Sequence, residues 1–170
     1  MGKCILIIGG TGQGKSTFIK KAIENKPCLV YDVQGEYSYL PTDINQPQSR
    51  FFNTDPQQFI EICKLKHNGT ICVFEEATGF FSGRTSKEMK QLILSKRHPV
   101  EKGGRNLLFI FHYIQAVPPS IINMADEVVL FKTSDELSLF KNKFPRLIIP
   151  FQRVQRLPKY HSLRIKLQEV

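Results

Sequence analysis

The stretch GGTGQGKST, residues 9–17, combines glycines, one lysine and hydroxyl side chains in an order suited to holding a polyphosphate. Gly9, Gly10, Thr11, Gly12, Gln13, Gly14, Lys15 and Ser16 satisfy G-x-x-x-x-G-K-[ST], and Thr17 follows directly. Glycines allow successive backbone N–H groups to turn inward around phosphate oxygens, and a following helix adds its positive end. Lys15 then supplies a mobile cation for the β- and γ-phosphates, and Ser16 a hydroxyl ligand for Mg²⁺. The competing reading is a glycine-rich turn with an incidental lysine.

A second candidate cluster is ICVFEE, in which an apolar run ends in Glu75 and Glu76. At the carboxyl end of a buried strand, Glu75 is expected to serve the magnesium shell. Glu76 is expected to be the general base that orients and activates an attacking water. Glutamate at 75, where aspartate is usual, leaves the metal geometry open, and two adjacent acids could also cap the next segment or face solvent.

Both clusters work only if the fold brings them to one edge, and the periodicity supplies such a fold. Short β-rich apolar runs alternate with segments of helical spacing, the pattern of an α/β parallel sheet. Strands are predicted at 3–8, 28–32, 70–74, 105–112 and 126–132, and helices at 15–26, 55–67 and 86–98, with a short one in PPSIINMA. Asp55 reads as an N-cap with Pro56 at the first helical position, and Asn68-Gly69 as the stop signal. Residues 34–53, rich in Pro, Asn, Gln and Ser, read as loop. HSLRIKLQEV alternates apolar and polar residues and reads as an added edge strand or part of a hairpin.

Composition limits the possibilities further. A chain of 170 residues, 41% hydrophobic, is expected to form a single domain, 1–170, with a core over about 1–145 and a basic extension over about 146–170. The formal charge is +9, and residues 141–170 hold eight Lys or Arg against one acid, which points to a polyanionic partner. Cys4, Cys28, Cys63 and Cys72 lie in apolar segments without C-x-x-C spacing, so they read as reduced core residues of a cytoplasmic protein. No run is long enough for a signal-peptide core or a membrane span, and no membrane anchor is expected.

Beyond the phosphate loop, three stretches resemble the FtsK–HerA branch of P-loop ATPases, which includes DNA translocases and viral genome-packaging ATPases. YDVQGEYSYL is similar to the D-x-x-G-E-Y segment after the second strand, CVFEEA to the acidic strand end, and NLLFIFHYIQAVPPSIINMADEVVLFK to the fourth strand, polar sensor and fifth strand. Together they span about residues 3–132. The resemblance implies a RecA-like (ASCE) core, mainly a parallel sheet flanked by helices with a small C-terminal β extension, binding ATP and Mg²⁺ between subunits of a ring, commonly a hexamer. It also implies an arginine reaching across the subunit boundary. Arg97 and Arg105 stand where that arginine is expected, and either could instead be a surface or DNA-facing charge. His112 occupies the sensor position, where Gln or Asn is usual, and Gln115 follows three residues later; a satisfied strand-end histidine is the plainer reading of His112. Asp32 and Glu36 are placed near the nucleotide or the subunit interface, with an ordinary turn as the alternative.

The functional expectation is an ATP-driven translocase of double-stranded DNA, specifically a viral or phage packaging motor. Its expected place is the host cytoplasm or a virion vertex, with a portal or capsid vertex as a further partner. The alternatives are a Zot-like phage assembly ATPase, a small-molecule kinase with a weak lid candidate in SGRTSKEMK, and a nucleotide-binding subunit without turnover.

Overall fold

The structure is a computed structural model and describes residues 2–52, 55–81, 85–98 and 103–167. In chain order its elements are β1 (Cys4–Ile8), α1 (Lys15–Ile23), β2 (Cys28–Asp32), β3 (Gln48–Phe52), α2 (Pro56–Leu65), β4 (Thr70–Phe74) and α3 (Lys87–Leu94). There follow β5 (Arg105–Phe111), α4 (Pro119–Ile122), β6 (Glu127–Phe131), α5 (Leu137–Lys143), α6 (Ile148–Arg156) and β7 (Ser162–Lys166). The strands form one sheet in the order β3-β2-β4-β5-β1-β6-β7. Every pairing is parallel except β6 with β7.

The strands read as continuous apolar runs because both faces of the sheet are covered. Along β5, Leu107, Phe109 and Phe111 join one cluster with Phe59, Leu92, Phe140 and Val154, contributed by α2, α3, α5 and α6. Leu108 and Ile110 join the opposite cluster, where α1 contributes Ile19 and Ile23 and the segment after β2 contributes Tyr37 and Leu40. Alternate residues of a strand face opposite sides, so in the inner strands a polar residue is costly at either face.

Local signals set several boundaries. The Asp55 side chain accepts from the Gln57 N–H at 3.0 Å with Pro56 in the first turn, as the sequence predicts. Ser86 caps α3 in the same way through Met89. α2 stops at Leu65, three residues before the predicted Asn68-Gly69 signal, and those two residues instead turn the chain into β4 with φ of 56° and 73°.

Two predicted features need correction. Residues 34–53 are not all loop: Gln48–Phe52 form β3, parallel to β2, with only Ser49 and Phe51 buried. An edge strand needs two inward side chains rather than a fully apolar run, so the composition concealed it. The extension over about 146–170, expected to be β, also holds a helix, α6, and α5 precedes it within the predicted core. Phe140 and Phe151 stack at 4.1 Å to join them, and Pro150 sits in the first turn of α6, where a missing N–H breaks no helical bond. β7 is the predicted edge strand, described to Leu167, and the final residues of its predicted span lie outside the described residues.

Candidate active site

β1 lies inside the sheet between β5 and β6, and the loop that follows it emerges at the carboxyl edge. Two backbone bonds bridge the loop across both neighbours: Gly9 N–H to Phe111 O at 3.1 Å and Gly10 N–H to Lys132 O at 2.8 Å. A side chain at position 9 would put its Cβ 2.5 Å from the Cβ of Phe131, so glycine is required for that approach. Gly14 has φ of 97°, the left-handed region, and directly precedes α1. The N-terminus of α1 therefore opens onto a cavity of about 630 Å³ at the carboxyl edge of the sheet.

Lys15 is buried in this cavity, with Nζ donating to Gly9 O at 2.7 Å and Gly10 O at 2.9 Å. Burial lowers its pKa, and the negative charges of Glu76 and Glu36 oppose that shift. Nζ also lies 3.3 Å from His112 Nδ1. A lysine ammonium has only protons to give, so Nδ1 accepts and the ring proton resides on Nε2. That proton is donated to a Glu76 carboxylate oxygen, which also accepts from Gln34 Nε2 at 3.1 Å. Glu76 adopts φ of 52°, uncommon for a residue with a Cβ, as the chain turns sharply away from β4.

Glu75 is placed differently. It is buried, its Oε2 has no hydrogen-bond partner, and its pKa is raised to about 7. Burial is the main cause, with the charges of Glu36 and Asp32 adding to it and the N–H groups of Val33 and Gln34 opposing it. Among the described residues no three His, Cys, Asp or Glu side chains converge on a metal position. A divalent cation fits here only alongside phosphate oxygens, with Ser16 and Glu75 lining the same cavity. That donor set, few protein oxygens completed by phosphate and water, is characteristic of Mg²⁺.

The other predicted residues separate into those at the site and those elsewhere. Gly10, Thr11, Gly12, Ser16 and Thr17 line the cavity, and so does Glu36. Gln13 packs its Cγ toward Gly10 behind the loop. Asp32 stands behind the cavity: its carboxylate accepts from the N–H groups of Glu36 and Tyr37 at 3.0 and 3.1 Å and pairs with Arg50 at 3.1 Å. It shapes the QGEY turn that presents Gln34 and Glu36. Gln115 is exposed beyond β5, where its carbonyl accepts from Lys143 at 2.6 Å.

Arg97 and Arg105 lie at the opposite edge of the sheet. Arg105 begins β5 and His112 follows its end, and seven residues of strand separate the edges by about 20 Å. Arg105 is buried, donating to His98 O at 3.0 Å and Ser95 Oγ at 3.4 Å. The Arg97 side chain is 44% exposed and pairs with Asp126 at 2.9 Å. A somewhat larger cavity, about 690 Å³, lies on that edge between Arg97 and Arg146, but it contains neither a phosphate-binding loop nor a free acid. Sequence reasoning missed five residues that line the loop cavity, Gln34, Ile110, Tyr113, Ser134 and Tyr160, of which Ser134 and Tyr160 approach from segments far from the loop in sequence.

No protein-family model and no curated protein sequence matches the chain. Solved structures do match in fold. The genome packaging NTPase B204 of Sulfolobus turreted icosahedral virus 2, in complex with ATP-gammaS, has a TM-score of 0.79 at 18% identity, covering 99% of this chain and 93% of that one. B204, the DNA-packaging ATPase of Sulfolobus turreted icosahedral virus, gives 0.77 at 17% identity, with 98% and 93% covered. The pCW3 conjugation coupling protein TcpA, in its monomer form with ATPgS, gives 0.61 at 14% identity, with 98% and 58% covered. At these identities the likeness is one of fold: with its seven-stranded, mainly parallel sheet and flanking helices, the chain has a RecA-like α/β fold.

Proposed function

We propose that this protein is an ATP-hydrolysing motor of the FtsK–HerA type that moves double-stranded DNA, most specifically a viral genome-packaging ATPase. The observation that carries the reading is the Lys15–His112–Glu76 chain beside the phosphate loop, within a fold matched over almost its whole length by the B204 packaging ATPases.

Each step of hydrolysis is assigned to a residue of the site. Lys15 exchanges the carbonyls of Gly9 and Gly10 for β- and γ-phosphate oxygens, while the loop N–H groups and the α1 N-terminus hold the rest of the triphosphate. Mg²⁺ bound with the nucleotide, held by Ser16 and Glu75, supplies charge neutralisation at the phosphates. Glu76 takes the proton from a water whose oxygen attacks the γ-phosphorus as the bond to the ADP oxygen breaks. His112 holds Glu76 beforehand and, touching Lys15 as well, reports whether phosphate has drawn the lysine away. Arg97 acts on the neighbouring subunit's triphosphate in a ring, taken here as a hexamer, because it stands at the edge away from its own nucleotide and is half-exposed. The exposed Arg153 and Arg156 of α6 grip DNA phosphates. A portal or capsid vertex receives the ring in the host cytoplasm or the virion.

The test is ATP hydrolysis with and without double-stranded DNA. Hydrolysis stimulated by DNA is the expected result. Phosphorylation of a nucleoside acceptor without any response to DNA would replace the motor by a kinase, and DNA-independent turnover would favour an assembly ATPase.

A further inference from the structure

The turn before β7 carries a tyrosine where its backbone favours glycine. His161 N–H donates to Pro158 O at 3.4 Å, closing a four-residue turn, and its third residue, Tyr160, has φ of 70°. Glycine or asparagine ordinarily occupies that position, and a side chain with a Cβ costs about 1 kcal/mol there. Tyr160 is 65% exposed, so burial does not offset the strain. Its one ring partner among the described residues is Lys159, whose ammonium lies 5.0 Å from the centroid.

What the conformation achieves is placement. Tyr160 lines the phosphate-loop cavity, and its backbone and ring base pack against Gly14 so closely that a Cβ on Gly14 would lie 3.1 Å from Tyr160 Cδ1. Glu76 and His112 follow β4 and β5, on one side of β1, whereas Tyr160 precedes β7 and Ser134 follows β6, on the other. A triphosphate laid along the loop with its γ-phosphate at Glu76 therefore carries its nucleoside toward β6 and β7.

We infer that Tyr160 is the base platform of the site: the purine of the bound nucleoside triphosphate stacks on its exposed ring beside Ser134. This rests on the nucleotide reading of the loop. Stacking requires the ring but not the phenol hydroxyl, and it reads a π-face rather than hydrogen bonds, so the platform takes adenine and guanine alike.

The experiment compares ATP with inorganic tripolyphosphate, which has the phosphates without the base, by calorimetric titration of the full chain at fixed salt and Mg²⁺. Tyr160→Gly removes the ring and suits the left-handed backbone, so the variant is expected to fold at least as stably as the parent. Its Kd for ATP is expected to rise about 10-fold or more, with tripolyphosphate affinity unchanged, while Tyr160→Phe stays within about twofold of the parent for both. An unchanged ATP affinity in Tyr160→Gly overturns the inference, as does an equal loss for both probes, which would place the effect in the shape of the loop around Gly14. If the unaltered protein binds neither probe, the nucleotide reading itself fails.

Discussion

His112 donates its Nε2 proton to Glu76, and through Nδ1 the same ring accepts from Lys15. The lysine proposed to bind phosphate and the carboxylate proposed to activate water are thereby joined through one imidazole. On the proposed reading, withdrawing Lys15 toward a phosphate would free Nδ1 and change what His112 can do for Glu76, coupling binding to base activation through side chains alone.

Glu76→Gln keeps the shape and the hydrogen bond to His112 while removing the base. Turnover is expected to fall by about 10² to 10⁴, the range general-base catalysis provides, with ATP affinity nearly unchanged. Steady-state hydrolysis alongside nucleotide titration measures both. Residual turnover above about a tenth of the parent would move the base elsewhere.

Lys15→Met separates binding from stability. The ammonium is buried against two carbonyls, and its depressed pKa shows that desolvation outweighs the nearby carboxylates. Without ligand the variant should therefore melt no lower than the parent. ATP at 100 times Kd stabilises a protein by about 2.7 kcal/mol, equivalent to several degrees at this chain length. Thermal melts with and without ATP should show that shift in the parent and its loss in Lys15→Met.

The pH dependence of stability should carry the signature of Glu75. Its folded pKa is about 7, raised from 4.5. Between those values the unfolded chain has released the proton and the native protein retains it, so stability falls as pH rises through that window and is flat above it. Glu75→Gln removes the penalty. In buffer free of metal and nucleotide, its advantage over the parent should be near zero at pH 4.5 and grow to at most about 3 kcal/mol above pH 7, as read by denaturant midpoints. A constant difference at all pH values would mean that folding does not shift the Glu75 pKa.

The site was legible in sequence to the extent that its chemistry is local. Gly9 to Thr17 and Glu75-Glu76 are contiguous, and the strands that deliver them are apolar on both faces, so their ends could be located within a residue or two. β3 escaped because an edge strand with Ser49 and Phe51 inward has no apolar run, and α6 because Pro150 resembles a helix breaker outside its three-dimensional context. Tyr160 could not be found at all: it meets Gly14 across 146 positions, and the only trace in the sequence is an aromatic between Lys159 and His161 in a proline-led turn. Nor does sequence distinguish Arg97 from Arg105, since burial of a guanidinium is decided by packing.

That distinction yields the next expectation. Arg105 is buried with Nη1 and Nη2 donating to Ser95 and His98, so Arg105→Ala should cost about 2 to 3 kcal/mol of stability. Arg97 is part-exposed and Asp126 retains Lys96 and the Cys4 N–H, so Arg97→Ala should cost under about 1 kcal/mol. Its loss should appear in turnover. Mixing Arg97→Ala with Glu76→Gln subunits should restore part of the activity if the arginine acts in trans, and no recovery at any ratio would remove it from that role.

DNA binding should be electrostatic and traceable to α6. Helix α6 buries Phe151 and Val154 against the core, which directs Arg153 and Arg156 to solvent, and Gln155 anchors the helix by donating to Thr133 O at 2.7 Å. Other charges in the same segment are already engaged: Arg164 pairs with buried Glu127, and Lys143 donates to the carbonyls of Gln115 and Val117. The phosphate grip should accordingly weaken as salt rises, with log K falling linearly in log salt. Replacing both Arg153 and Arg156 by Ala should make that slope shallower by about 1.8, or 0.9 per contact, equally for DNAs of unrelated sequence. Filter binding or fluorescence anisotropy across a salt series measures this directly. An unaltered slope would shift the DNA-binding face away from α6, and a sequence-dependent loss would mean that bases rather than phosphates are read.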